Sequence, residues 1–177
     1  MRQVLLLRGI NVGPRNRIAM PSLRERLTAA GFEDVRTYVQ SGNVVLSSDA
    51  APDELARQCE RLVEEEYALS IDVLARTRDE LAEVVQRNPL AEVALDPKRY
   101  QVRFCSAEPD PELVQRLSAL ATPSERLVAA GRELYAWHPD GVARSRLWAE
   151  LGGRRLGVTA TSRNWRTVTT LLAMAEE

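Results

Sequence analysis

The sequence predicts an α+β fold made of two β-α-β-β-α-β units in tandem, with a closing C-terminal helix. Two observations predict it. Short β-prone runs alternate with amphipathic helical segments in the same order in both halves, and a Gly-containing turn separates the two middle strands of each half. This order of elements is typical of ferredoxin-like units. We therefore expect a first unit at 1–77, a bridging helix and linker at 78–100, and a second unit with the final helix at 101–177.

The first half carries clear start and stop signals. Pro21 suits the first turn of a helix and Gly31 suits its end. Ser41-Gly42-Asn43 is typical of a hairpin turn, because Gly and Asn tolerate positive φ. The apolar spacing predicts strands at 3–8, 35–40, 44–48 and 71–75, and helices at 21–30 and 52–67.

The second half repeats this order without convincing residue identity to the first. Asn88-Pro89 ends the bridging helix, and Ala130-Gly131-Arg132 separates two strands as a second hairpin turn. The spacing predicts strands at 101–105, 126–129, 133–137 and 158–161, and helices at 79–87, 111–120, 145–151 and 163–174.

The predicted topology brings distant residues together. If the strands of the first unit are antiparallel in the order 4-1-3-2, the end of the first strand lies beside the start of the third. The loop at 9–20 and the turn at 41–43 then meet at one edge of the sheet. The helix at 21–30 begins at the same edge, where its unpaired amides carry partial positive charge. Such a helix end with glycines and arginines nearby predicts an anion site.

Positive charge is concentrated at the two ends of the sequence. Residues 1–48 hold seven Arg against three acidic residues, residues 141–177 hold six Arg against three, and residues 49–140 are strongly acidic. Lys98 is the only lysine. Arginine favours bidentate recognition of phosphate or carboxylate, although a high genomic Arg content gives the same composition. The acidic middle argues against broad wrapping by nucleic acid.

The sequence predicts no cofactor, no metal and no membrane. It contains neither the Gly-x-x-x-x-Gly-Lys nor the Gly-x-Gly-x-x-Gly phosphate-binding pattern. Carboxylates such as Asp53-Glu54 lack the spacing of a metal site, and no apolar run has the length of a membrane span. Cys59 and Cys105 lack the companions of a metal or redox motif, so we expect reduced thiols and a cytoplasmic location.

Three motifs resemble one bacterial family. They are Leu6-Leu7-Arg8-Gly9-Ile10-Asn11-Val12-Gly13, Thr37-Tyr38-Val39-Gln40-Ser41-Gly42-Asn43-Val44-Val45 and Ala160-Thr161-Ser162-Arg163-Asn164-Trp165-Arg166-Thr167-Val168. Together they resemble the family called domain of unknown function 1697. The resemblance implies a two-part ferredoxin-like fold and supplies no activity, substrate or cofactor. Pro14 stands where that family often has a second glycine, which predicts a stiffer loop.

The first candidate site is the loop after the first strand together with the hairpin turn. Here Arg15 and Arg17 supply charge, Gly13 allows close backbone approach, and Asn11 orients a ligand. Alternatively, the arginines pair with acidic helix residues such as Glu60 and Glu64, and the hairpin is only a turn. The predicted ligand-binding residues are Arg8, Asn11, Gly13, Arg15, Arg17, Ser41, Gly42 and Asn43.

The second candidate site lies near the C-terminus. Thr161 or Ser162 suits a helix N-cap, and Arg163 then falls in the first turn, where positive charge is disfavoured unless an anion binds. Trp165 either stacks on a ligand ring or packs in the core. The predicted residues are Thr161, Arg163, Asn164 and Trp165.

Three functions remain open on the sequence. The leading hypothesis is binding of a phosphate-bearing ligand, a nucleotide or RNA, at the loop after the first strand. The second is an enzyme that acts on a phosphorylated or carboxylated small molecule. No catalytic residue is assigned, because Ser41 lacks a base and the only histidine, His138, is distant in sequence. The third is a module that binds a protein partner, and the oligomeric state stays open.

Overall fold

The computed structural model describes residues 1–152 and 156–177. In these residues the chain is a mixed α+β protein with two four-stranded antiparallel sheets and six helices. It divides into two compact units, one formed by residues 1–83 with 170–177 and the other by residues 84–169. The sequence-based boundaries at 77, 78 and 100 stay a prediction. None of the helices in the described ranges is long and apolar enough to span a membrane.

The first sheet has the strand order β2-β3-β1-β4. This is the 4-1-3-2 order that the sequence predicts, so the end of β1 lies beside the start of β3. Leu5 on β1 lies opposite Val44 on β3 and Ala75 on β4. The elements along this part of the chain are β1 (Arg2–Leu7), α1 (Met20–Ala29), β2 (Glu33–Tyr38), β3 (Asn43–Ser47), α2 (Pro52–Tyr67), β4 (Val73–Thr77) and α3 (Arg78–Arg87).

Helix α2 shows why this part of the sequence folds as it does. Its buried residues lie on one face of the helix and are Leu55, Ala56, Cys59 and Val63. Asp53 and Glu54 occupy its first turn, where negative charge complements the helix dipole. Leu5 and Leu7 of β1 pack in one core with the buried faces of α1 and α2. The core therefore fixes the end of β1, from which the candidate loop starts.

The second sheet has the order β6-β7-β5-β8 and is antiparallel throughout. Buried Tyr135 on β7 donates its hydroxyl proton to the Val84 carbonyl at 2.9 Å. The elements are β5 (Tyr100–Cys105), α4 (Pro111–Ser118), β6 (Arg126–Ala130), β7 (Glu133–Trp137), α5 (Arg146–Leu151), β8 (Ala160–Asn164) and α6 (Trp165–Glu176).

The last strand and helix differ from the sequence-based expectation. The sequence predicts a strand at 158–161 and a helix from 163, whereas β8 runs from Ala160 to Asn164 and α6 begins at Trp165. The reason is strand pairing, because Arg163 lies opposite Val102 and Ser162 lies opposite Arg103 on β5. Pairing with β5 therefore keeps residues 162–164 in the strand, although the local sequence pattern predicts a helix from 163.

Candidate functional site

The loop between β1 and α1, residues 8–19, lies against the β2–β3 turn, residues 39–42. We call the loop the arginine loop. The Leu7 amide donates to the Gly42 carbonyl at 2.8 Å. The Asn11 side-chain amide donates to the Gln40 carbonyl at 2.7 Å. The two segments that the topology was expected to bring together therefore meet at one edge of the sheet.

The side chain of Asn11 closes the arginine loop. Its amide also donates to the Ile18 carbonyl at 2.8 Å, and its oxygen accepts from the Ile18 amide at 2.9 Å. Both amide protons are thus bound within the protein. The Asn11 backbone amide donates to the backbone carbonyl of Asn16 at 3.0 Å. Both asparagines have positive φ, 55° and 53°, which Asn adopts more readily than most residues. Asn11 has a structural use that the sequence does not indicate.

Gly42 and Asn43 hold the β2–β3 turn in place. Gly42 is buried with a φ of +80°, and a Cβ atom there would lie 2.7 Å from Leu7 Cβ. Only glycine therefore fits between the turn and the end of β1. Asn43 is buried, and its side-chain amide donates to the Tyr38 carbonyl at 3.1 Å. Ser41 lies exposed at the tip of the turn.

Arg8 is neutralised within the unit. Its guanidinium lies 3.1 Å from a carboxylate oxygen of Asp72, and its backbone amide donates to the Asp72 carbonyl at 2.9 Å. The residue before β4 is thus attached to the end of β1. An ion pair of this kind, half exposed to solvent, contributes little stability, but it reduces the charge that Arg8 presents to a ligand.

Arg15 and Arg17 are the exposed cations of the arginine loop. In the part of the chain that the structure describes, neither forms a hydrogen bond or an ion pair. The alternative pairing with acidic helix residues is not observed there, and Glu60 instead accepts a hydrogen bond from the Val73 amide at 2.8 Å. Gly13, between Asn11 and Arg15, is exposed, has a φ of +69° and faces open space.

Helix α1 begins directly after the arginine loop, at Met20. Its N-cap residue is Ala19, which provides no side-chain hydrogen bond, and its first turn contains no acidic residue. Nothing in the helix itself therefore neutralises the positive end of its dipole. This end lies three residues beyond Arg17.

In the second candidate site, Arg163 and Asn164 form hydrogen bonds within the protein. Arg163 is buried on β8, not in a helical turn, and donates to the Thr161 hydroxyl and the Ser162 carbonyl, both at 2.9 Å. Burial lowers the pKa of the Arg163 guanidinium. The expected N-cap at Thr161 or Ser162 is wrong, because both lie in β8. Asn164 caps α6 instead, its side-chain oxygen accepting from the Thr167 amide at 2.9 Å.

Trp165 packs against another residue of the protein, as in the second of the two alternatives that the sequence left open. Its ring stacks on Tyr100, with ring centroids 4.8 Å apart and planes at 23°. One face of the indole is therefore covered by a residue of β5. Taken with Arg163 and Asn164, this leaves the second candidate set without an exposed, unoccupied group that points to a ligand.

Sequence reasoning missed a buried cluster of Glu125, His138 and Ser145. The His138 Nδ1 lies 2.5 Å from a Glu125 carboxylate oxygen, and the Ser145 hydroxyl donates to the same oxygen at 2.6 Å. The Thr122 amide donates to the other oxygen at 3.1 Å. His138 and Ser145 lie 13 and 20 positions after Glu125 in the sequence. No periodic spacing indicates that the three residues meet.

This cluster lacks the geometry of a catalytic triad. A triad needs the serine on Nε2 of the histidine and the acid on Nδ1. Here Ser145 lies 3.3 Å from Nδ1, the nitrogen that also faces Glu125, and all three residues are buried. Ser145 additionally caps α5 by accepting from the Trp148 amide at 3.0 Å. The cluster joins the start of β6, the end of β7 and the start of α5.

The cysteines are not part of the arginine loop, and neither is the cavity of the first unit. Both cysteines are free and buried, and burial raises the pKa of Cys59 to about 12. Residues 1–152 and 156–177 contain no group of three potential metal ligands. A cavity of about 840 Å³ lies in the first unit, but its lining, which includes Gly31, Arg61 and Glu65, contains no residue of the arginine loop.

Comparison with known proteins places the chain in a family. The family model described as "Protein of unknown function (DUF1697)" matches residues 1–135, which include the arginine loop and the β2–β3 turn. The chain belongs to this family. No curated protein matches the chain.

A solved structure has the same fold. The conserved bacterial protein SP0830 from Streptococcus pneumoniae is 23% identical and superimposes with a TM-score of 0.78 over 98% of each chain. At this identity the similarity is evidence about the fold alone. This DUF1697 chain therefore shares its architecture with SP0830.

Proposed function

We propose that this DUF1697 protein binds a phosphate-bearing ligand, a nucleotide or RNA, through Arg15 and Arg17. The observation that carries the proposal is the contrast between these arginines and Arg8. Arg8 has Asp72 as its counterion, whereas Arg15 and Arg17 are exposed and have no ion-pair partner in the described residues. Two cations held on one loop without counterions suit a phosphate, which guanidinium groups bind in bidentate fashion.

The hydrogen bonds at the ends of the arginine loop support this proposal. The hydrogen bonds of Asn11 fix the ends of the loop to each other and to the β2–β3 turn. A loop that is ordered before binding loses less conformational entropy when the ligand binds. The uncapped N-terminus of α1 adds a partial positive charge of the sign that an anion requires.

Binding is better supported than catalysis. Hydrolysis or group transfer on a phosphorylated substrate requires an acid, a base or a nucleophile close to the cations. Residues 8–19 contain no histidine, cysteine or carboxylate, and the neighbouring Asp72 is paired with Arg8. The buried His138 and Glu125 bond to each other in the other unit.

The proposal also covers the type of fold and the cellular location. We propose that each four-stranded sheet with its helices is a ferredoxin-like unit, which the order β-α-β-β-α-β and the 4-1-3-2 strand arrangement support. We also propose that binding takes place in the cytoplasm, which the two free cysteines support.

Thermal unfolding tests the proposed function. A panel of nucleotides, sugar phosphates, carboxylates and short RNA is compared at low and high salt. A ligand at 100 times its dissociation constant stabilises the native state by about 2.7 kcal/mol. We expect a selective upward shift of Tm that the double substitution Arg15→Gln, Arg17→Gln removes.

The matched control is the double substitution Arg24→Gln, Arg116→Gln. Both control residues are exposed and lie outside residues 8–19 and 39–42, and neither forms an ion pair in the described residues. The control lowers the net charge by the same amount and is expected to retain the shift. A ligand-induced shift that survives in the loop variant contradicts the proposal.

A further inference from the structure

The cavity of about 840 Å³ in the first unit is a second candidate binding site. Its walls are the end of α1 with the turn that follows, one face of α2 and the end of β3. We call it the α1–α2 cavity. Sites for small molecules have volumes of roughly 300–1,000 Å³. The α1–α2 cavity is therefore large enough to enclose a small organic molecule.

Helix α2 contributes a mixed face to the α1–α2 cavity. The lining residues of this helix are Gln58, Arg61, Leu62, Glu65 and Glu66. Residues three and four positions apart lie on the same face of a helix, and these five positions follow that spacing. Leu62 is half-buried and packs against the core of the unit. One wall of the cavity therefore combines an apolar side chain with charged ones.

The turn after α1 forms the opposite wall. The Gly31 amide donates to the Thr28 carbonyl at 3.0 Å, and the Phe32 amide donates to the Leu27 carbonyl at 3.2 Å. Gly31 has a φ of +94°, and a Cβ atom there would meet nothing within 4 Å. After this turn Phe32 and Glu33 both line the cavity, and Phe32 also packs against the core. This wall too combines an apolar side chain with a charged one.

The cations of the α1–α2 cavity are neutralised within the protein. Among the described residues, each cation of the lining has a carboxylate oxygen at 3.2–3.3 Å. The pairs are Arg26 with Glu66, Arg61 with Glu54, and the Met1 amino group with Asp49. An anionic ligand would therefore compete with a carboxylate for each of these cations.

Two carboxylates of the lining have no such partner. Glu33 and Glu65 are exposed, and in residues 1–152 and 156–177 neither side chain forms an ion pair or a hydrogen bond. The C-terminal end of α1 adds a partial negative charge, and Arg26, the basic residue of its last turn, is already paired with Glu66. The uncompensated charge of the cavity is therefore negative.

We infer that the α1–α2 cavity binds a small organic cation, an aliphatic amine. Its ammonium group donates to Glu33 and Glu65, and its aliphatic stem packs against Phe32 and Leu62. An ammonium group has three donors and no acceptor, and its hydrogen bonds to carboxylates are strengthened by charge. The inference is independent of phosphate binding, because the cavity and the arginine loop share no residue.

An NMR titration at pH 7 and constant ionic strength tests this inference. Pentylamine, pentanol and pentanoate have stems of similar length and carry a positive charge, no charge and a negative charge. Propylamine shortens the stem, and magnesium chloride tests attraction of any cation. The backbone amide signals of residues 30–33 and 47–49 are followed, since these segments line the cavity.

We expect pentylamine to shift these amide signals saturably. Its Kd should be about tenfold lower than that of pentanol, because a hydrogen bond between charged groups is stronger than one that involves a neutral group. Propylamine should bind about tenfold more weakly than pentylamine, because two fewer methylene groups leave water. Pentanoate should cause no saturable shift of these signals.

A pair of double substitutions tests the role of the two carboxylates. Glu33→Gln with Glu65→Gln should raise the Kd of pentylamine about tenfold and leave that of pentanol unchanged. The control is Glu25→Gln with Glu64→Gln, at two exposed residues outside the lining that form no ion pair in the described ranges. It makes the same change in net charge and should leave both Kd values unchanged. Equal Tm values verify that both variants are folded.

Four results overturn the inference. They are equal affinity for pentylamine and pentanol, tighter binding of pentanoate than of pentylamine, displacement of pentylamine by an equal concentration of Mg²⁺, and the absence of saturable shifts with any probe. An unchanged Kd of pentylamine in the Glu33→Gln, Glu65→Gln variant also overturns it. The Arg15→Gln, Arg17→Gln variant should bind pentylamine normally, which separates this site from the arginine loop.

Discussion

The side-chain amide of Asn11 donates to the backbone carbonyl of Gln40, 29 residues away, at 2.7 Å. This hydrogen bond joins the arginine loop to the β2–β3 turn, and the same side chain makes two further bonds to Ile18. One side chain therefore closes the loop and also binds it to the turn, in addition to the backbone hydrogen bond between Leu7 and Gly42. The exposed Arg15 and Arg17 lie between Asn11 and Ile18, the two residues that these hydrogen bonds join.

Replacing Asn11 with Ala should destabilise the protein. The variant loses three side-chain hydrogen bonds, leaves the Ile18 amide without its acceptor, and places an alanine, which tolerates positive φ less well than asparagine, at a φ of 55°. We expect the free energy of unfolding to fall by about 1–3 kcal/mol. Urea denaturation measures this change, and hydrogen exchange should become faster at the Ile18 amide. Unaltered exchange at Ile18 would show that Asn11 does not hold the loop.

Gly42→Ala and Gly13→Ala should differ in their effect on stability. Both glycines have positive φ, but a Cβ atom at Gly42 would lie 2.7 Å from Leu7 Cβ, whereas nothing lies within 4 Å at Gly13. We expect a loss of about 2–5 kcal/mol at Gly42, from backbone strain and overpacking together. At Gly13 we expect about 1 kcal/mol from backbone strain. Equal losses in urea denaturation would contradict the close packing of the turn.

Val39→Asn should stabilise the protein. The substitution relieves a β-branched residue held at a φ of +49°, and the relief is worth about 1 kcal/mol. The control Val12→Asn changes an exposed valine that has no positive φ and should leave Tm unchanged. A fall in Tm for Val39→Asn would mean that the valine contributes more packing to the free protein than its exposure indicates.

The buried Glu125 should make the protein sensitive to acid. Burial is the largest single influence and raises its pKa, but hydrogen bonds from Ser145, His138 and the Thr122 amide together outweigh burial, so the pKa of Glu125 lies below its ordinary value. A carboxyl group with a lower pKa in the folded state stabilises the protein above its unfolded-state pKa of about 4.3. That stability is lost as the pH falls through the folded-state pKa.

Unfolding of Glu125→Gln at a series of pH values measures this contribution. We expect the variant to be less stable than the wild type at pH 7 and to lose less stability than the wild type between pH 5 and the acid limit of folding. Glu112→Gln, at an exposed residue, serves as the control and should follow the wild-type profile. Parallel profiles for wild type and Glu125→Gln would refute the role assigned to the carboxylate.

The sequence predicts the fold and the location of the candidate site better than the use of individual residues. Alternating element types and the 4-1-3-2 order suffice to bring the loop at 8–19 to the turn at 39–42, because topology determines which strand ends are neighbours. Pairings between single side chains depend on the final tertiary positions. The partnership of Arg8 with Asp72, 64 residues away, has no local signal.

The errors near the C-terminus have the same origin. Thr161, Ser162 and Arg163 look like the start of a helix, yet pairing with β5 holds them in a strand and moves the cap to Asn164. The cluster of Glu125, His138 and Ser145 unites three elements that no spacing relates. In both cases tertiary contacts override the local pattern.

The most direct test of the account is an NMR titration of the protein with inorganic pyrophosphate, following the backbone amide signals. Phosphate recognition by Arg15 and Arg17 predicts saturable shifts concentrated in residues 9–19 and 40–42, present in the Arg24→Gln, Arg116→Gln control and absent from the Arg15→Gln, Arg17→Gln variant. Saturable shifts centred on another part of the chain, or shifts that persist without the two loop arginines, would contradict the claim that this loop is the binding site.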